Sequence, residues 1–109
     1  MVDLSMLEWL EEWHQGQCNG DWEHQYGVKI DTIDNPGWEV SIDLRGTQLQ
    51  GRNFTDVSFQ YDDEIDWFYV TVKDDTFKGH GGARNLSSII GEFKKFAMDA
   101  PRETEQLDT

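Results

Sequence analysis

The sequence predicts an α+β domain: an antiparallel sheet of four to five strands in meander order, with an N-terminal and a C-terminal helix packed on it. Three observations predict it. Apolar residues alternate with polar ones in short runs between residues 26 and 78. The two ends of the chain carry apolar residues at helical spacing instead. No helical pattern separates the strand runs, as parallel pairing would require. At 109 residues the chain holds one hydrophobic core and one domain. That domain is expected over residues 1–100, with a flexible polar tail at 101–109.

The first helix is expected over residues 5–17. Ser5 and Glu8 have capping-box spacing. Met6, Leu7, Trp9, Leu10 and Trp13 form a wide apolar face opposite Glu8, Glu11, Glu12 and Gln15. Gly16 and Gly20 bracket its end. A hairpin follows over 26–44. Val28 and Ile30 alternate with Lys29 and Asp31, while Trp38, Val40, Ile42 and Leu44 alternate with Glu39, Ser41 and Asp43. Asp34-Asn35-Pro36-Gly37 supplies the turn, because proline presets φ and glycine accepts positive φ. Val57, Phe59 and Tyr61 mark a third strand and Trp67–Lys73 a fourth, joined through Asp62-Asp63-Glu64. After an Asp74-Asp75 turn, a short fifth strand covers Thr76–Lys78. Asn85 is the expected N-cap of a helix over Leu86–Met98, whose buried stripe is Leu86, Ile89, Ile90, Phe93 and Phe96. Trp13, Val40, Ile42, Phe68, Val70, Ile90 and Phe93 are the expected core.

Composition narrows the function. The formal charge is −13, yet aromatics make up 13% of the residues, so the acidity decorates a folded body and not a disordered tail. Residues 1–72 hold 15 acids against Lys29, Arg45 and Arg52. Such a field repels nucleic acid and anionic membranes and attracts basic partners. No apolar run reaches the ~18 residues of a membrane span. One cysteine, Cys18, and an opening Met1-Val2-Asp3 without a basic n-region point to the cytoplasm.

Four constellations invite chemistry. His14, Cys18 and His24 are soft ligands close in sequence, but one cysteine and no Cys-x-x-Cys pair fall short of a zinc site. Asp62-Asp63-Glu64-Ile65-Asp66 lacks the glycine and spaced carboxylates of a calcium loop. Paired with His80, the same carboxylates are the residues a small metal-dependent hydrolase would use. Gly79-His80-Gly81-Gly82 precedes a helix without a phosphate-loop pattern, and is expected to turn the chain across the sheet edge. The expectation is therefore no catalytic residue, no cofactor and no metal: a binding protein rather than an enzyme. The acidic run is best read as a docking surface for Lys and Arg.

The stretch Trp13-His14-Gln15-Gly16-Gln17-Cys18-Asn19-Gly20-Asp21-Trp22-Glu23-His24-Gln25-Tyr26-Gly27, followed by Asp31-Thr32-Ile33-Asp34-Asn35-Pro36-Gly37-Trp38, resembles the bacterial immunity protein 53 family. Its tryptophans, cysteine, histidines and proline occur in order, and rare residues in order are specific. The resemblance implies a small cytoplasmic protein that binds and neutralises the polymorphic toxin encoded beside it; a nuclease toxin, with its basic groove, fits the charge. The candidate contacts are Asp21, Trp22 and Glu23 from the family block, and Asp62, Asp63, Glu64, Asp66 and Trp67 from the acidic run. The rival class is an acidic adaptor unrelated to toxins.

Overall fold

A computed structural model describes residues 2–34, 36–62 and 65–106. Its elements in chain order are α1 (Val2–Gln17), α2 (Trp22–Gln25), β1 (Val28–Ile33), β2 (Gly37–Asp43), β3 (Val57–Asp62), β4 (Asp66–Lys73), β5 (Thr76–Gly82) and α3 (Leu86–Gln106). The five strands form one antiparallel sheet; α3 packs on it, and α1 packs against α3.

The strand order is β1-β2-β5-β4-β3, so the sheet is not one sequential meander. Two locally closed units, the hairpin β1–β2 and the meander β3–β4–β5, meet along a β2–β5 seam running from Gly37↔Gly82 to Asp43↔Thr76. The crossover 44–56 makes this order possible because it is itself anchored. Leu44 and Leu49 are fully buried, and Phe54 meets Phe77 and Phe96 edge-on at 5.9 and 5.1 Å. The two-residue Asp74-Asp75 turn takes φ of +54° and +57°, the pair of positive angles that matches strand twist in tight hairpins. Asp75 latches it to the crossover: its carbonyl accepts from Leu44 N (2.9 Å) and its carboxylate from Gly51 N (2.9 Å).

Alternation sorts the strand residues as expected. Val40, Ile42, Val70 and Phe77 are fully buried beneath the helices, together with Ile89, Ile90 and Phe93 of α3. Leu10 and Trp13 of α1 close the same core, and Phe68 packs partly buried at its margin. Trp13 meets Phe93 edge-on at 4.8 Å, and among the described residues its buried indole N–H has no acceptor. Leu7 stands 39% exposed, so the apolar face of α1 is narrower than its sequence suggests.

Glycines 79, 81 and 82 do not turn the chain. They continue β5 as the central strand, paired with both β2 and β4. A side chain at Gly79 would overlap Ile89 Cγ2 and sit 3.0 Å from Val70 Cγ1; one at Gly81 would lie 3.1 Å from Asn85 Cβ and Ile89 Cδ1. Their missing side chains let α3 lie directly on the strand backbone, and that close approach is the reason for the glycines. α3 also runs past Met98 to Gln106, further than the apolar stripe alone indicates.

Asn85 sits at the start of α3, but its side chain does a different job from the expected cap. It is 4% exposed; Nδ2 donates to Asp66 Oδ1 (2.9 Å) and Oδ1 accepts from Trp67 N (3.3 Å). The helix start is thereby tied to the start of β4.

Candidate functional site

The two predicted contact segments lie at opposite edges of the sheet. Asp21–Glu23 immediately precedes the edge strand β1, whereas Asp62–Asp66 joins the other edge strand, β3, to β4. Four inter-strand steps of ~4.8 Å separate those edges by about 19 Å. One compact docking surface does not use both.

The first segment is a structural knot. Asn19 Oδ1 accepts from Asp21 N (2.9 Å) and Trp22 N (3.0 Å), while the Glu23 carboxylate accepts from Asn19 N and Gly20 N, both at 2.9 Å. Gly20, at φ +97°, makes the bend that this reciprocal arrangement requires. The Glu23 carboxyl is held below the usual carboxylate range chiefly by its own backbone N–H, against an opposing desolvation, with the Asn19 and Gly20 amides and His24 assisting. The knot drives Trp22 inward. Trp22 is 3% exposed, donates from Nε1 to the Arg45 carbonyl (2.8 Å) and meets Trp13 edge-on at 5.9 Å. Trp22 is therefore part of the core, and its ring presents almost no surface. Glu23 spends both carboxylate oxygens on backbone amides. Only Asp21 is exposed with no side-chain cap bond.

His14, Cys18 and His24 do not converge. The Cys18 thiol is exposed and donates to the His14 carbonyl (3.3 Å), and among the described residues no three His, Cys, Asp or Glu side chains are grouped to hold a metal. His80 lies on the open sheet face, 3.5 Å from Glu39 on the neighbouring strand and across from Tyr69.

The second segment belongs to a more promising surface. Asp63 and Glu64 lie outside the described residues, between the ends of β3 and β4. Phe59 (42% exposed) stacks on Phe68 on the helix side at 5.4 Å and 23°, Tyr69 (40%) stands on the opposite face, and Ile65 (57%) lies close to the tip. Ser58, Phe59, Gln60, Trp67, Phe68 and Tyr69 line a shallow depression of about 250 Å³. Asp56 flanks Tyr69 on the open face: its carboxylate accepts from Tyr69 Oη (3.1 Å) and Thr71 Oγ1 (2.7 Å). Asp66 is half-buried and held by Asn85, so its role is to position β4 rather than to reach outward. Trp67 is likewise half-buried. The residues overlooked in the sequence are Phe59, Ile65, Tyr69 and Asp56. Their signal was available: aromatic side chains on a strand bordered by carboxylates.

A family model described as immunity protein 53 matches residues 7–98, which include every strand and most of both long helices. The chain belongs to the immunity protein 53 family. No curated protein and no solved structure gives a significant match. Membership makes this an immunity protein, whose work is to bind a cognate toxin, a role that needs no catalysis. Among its described residues, no helix is long and apolar enough to cross a membrane. Within the stretch 13–27 on which the resemblance rests, Asn19–Glu23 builds the knot that buries Trp22.

Proposed function

We propose that this immunity protein neutralises a basic toxin domain by presenting the β3–β4 hairpin and its acidic connection, in the cytoplasm where the toxin would act. The observation that carries the reading is the edge hairpin itself: Phe59 is exposed on one face, Tyr69 beside Asp56 on the other, and Ile65 follows the run Asp62-Asp63-Glu64 in sequence. Aromatic anchors within a polar rim are the usual energetic centre of a protein interface. The rim carboxylates select for Lys and Arg and steer encounter. A nuclease suits that chemistry, because a groove that holds a phosphodiester backbone is basic, and an acidic surface competes for it.

The test is the triple variant Asp62→Asn, Asp63→Asn, Glu64→Gln. Asp66 is left intact because it holds Asn85. The variant is expected to keep the parent's melting temperature. It should associate with the toxin domain encoded beside it about tenfold more slowly at low salt, and protect co-expressing cells less well. The difference should shrink as salt rises, since exposed charges are screened over about 8 Å at physiological ionic strength. Parent-like association at low salt would remove the acidic connection from the interface.

A further inference from the structure

β3 ends the sheet. It pairs with β4 on one side, and among the described residues its other side has no backbone partner. An unpaired row of amides and carbonyls is a template for another strand, and proteins normally blunt such edges with lysine, proline or a covering segment. The edge strand β1 follows that practice, with exposed Lys29 beside exposed Asp31. β3 does not. Val57-Ser58-Phe59-Gln60 contains no lysine, arginine or proline, and its pairing with β4 is regular until the shift between Gln60 and Asp62.

Charge decides what can lie there. Asp56 and Asp62 bound the strand, and Asp63 and Glu64 follow it. A second copy, paired antiparallel about Phe59, would set Asp56 against Asp62 twice, within a dimer of two chains of charge −13. Like charges directly opposite are destabilising. A strand carrying Lys or Arg toward its ends and an apolar residue beside Phe59 meets every demand of the edge.

We propose that the outer edge of β3 accepts an extended, basic strand of the partner, which joins the sheet as its sixth strand. This deepens, and rests on, the reading that the β3–β4 hairpin docks the toxin. Main-chain hydrogen bonds supply the grip and alternate side chains supply the selection: one face of the added strand meets Phe59, the other Ser58 and Gln60.

The probe is the toxin domain encoded beside this chain, inactivated for handling and mixed with the full-length immunity protein. Residue-resolved amide exchange is compared in the free and mixed samples. Alternate amides of Val57–Gln60, those pointing away from β4, should slow by more than about tenfold on binding, while β1 amides stay unchanged. In parallel, Gln60→Lys and Thr32→Lys make the same charge change at exposed positions on the two edges. Gln60→Lys should weaken binding more than about tenfold, and Thr32→Lys less than about threefold, with both proteins melting like the parent. Binding with no new protection in β3 overturns the strand addition and leaves the docking reading standing. Equal weakening by the two lysines also overturns it, because long-range charge would then explain the loss. Failure of the two proteins to associate at all removes both readings.

Discussion

Replacing Gly79 with alanine adds one methyl group between β5 and α3, and the surrounding geometry fixes what it meets. Gly79 does not take a positive φ, so alanine adopts its backbone conformation without strain. On backbone entropy alone the change would stabilise by about 0.4–1 kcal/mol. The contacts reverse that sign. The methyl overlaps Ile89 Cγ2 and lies 3.0 Å from Val70 Cγ1, against an optimum of about 3.5–4.0 Å for carbon pairs. Both neighbours are fully buried, so neither has solvent to yield into. Overpacking of this kind costs about 1–3 kcal/mol, and the net effect should be a loss of about 1–2 kcal/mol. Ile89→Ala alone should lose about 2–5 kcal/mol by opening a cavity. Combined, the two changes should partly cancel. With Cγ2 gone, the nearest atom of residue 89 is Cβ at 3.6 Å, an ordinary contact, and the new methyl fills part of the cavity. Urea unfolding of the parent, both single variants and the double variant gives the coupling, which should favour the double by about 1–2 kcal/mol with m unchanged. A neutral Gly79→Ala, or losses that simply add, would refute the claim that α3 is seated on the glycine strand.

Asn85→Ala should destabilise by about 2–4 kcal/mol, because it leaves the Trp67 amide and the Asp66 carboxylate without their partner in a half-buried setting; urea midpoints measure it. Trp22→Phe should lower stability by about 1–3 kcal/mol through loss of the 2.8 Å bond to the Arg45 carbonyl and of ring volume. The affinity of its folded form for the toxin domain, read by calorimetry, should not change. Glu23 has a folded pKa depressed below its ordinary value, so its contribution is present above the ordinary carboxylate range and is lost as pH falls through the folded value. Glu23→Gln should therefore flatten the acid limb of the stability profile below about pH 4.5 relative to the parent, as measured by chemical unfolding across that range.

The elements legible in the sequence were those with local causes. Alternation in Val28–Ile30 and Trp38–Leu44, the helical stripe Ile89, Ile90 and Phe93, and the Asp74-Asp75 turn each follow from near neighbours. What stayed hidden depended on distant ones. Glycines 79 and 81 read as a turn because glycine punctuates a chain locally, whereas here it answers to Ile89 and Asn85 from another element. The β2–β5 seam leaves no mark on either strand, since any two apolar strands of similar length pair equally well on paper. Trp22 and Asp21 look alike as contact candidates until the Asn19–Glu23 knot turns one inward and leaves the other outside. Part of the candidate surface was legible through the acidic run, but the aromatic half required knowing that β3 stands at an edge.

The β2–β5 seam also bears on how the chain reaches this state. Its paired residues are 33 to 45 positions apart, whereas β1–β2, β3–β4 and β4–β5 each close through a short turn. Each short turn can form within microseconds, but the seam must bring together two units that have little reason to meet until both exist. β5 has few side chains with which to hold that encounter, so α3 must arrive at nearly the same time to cover it. Folding should accordingly be limited by a single late collision among β2, β5 and α3. Until that collision the chain presents the unpaired edges of β2 and β5 as well as those of β1 and β3, and this is when it is most exposed to pairing with the wrong strand.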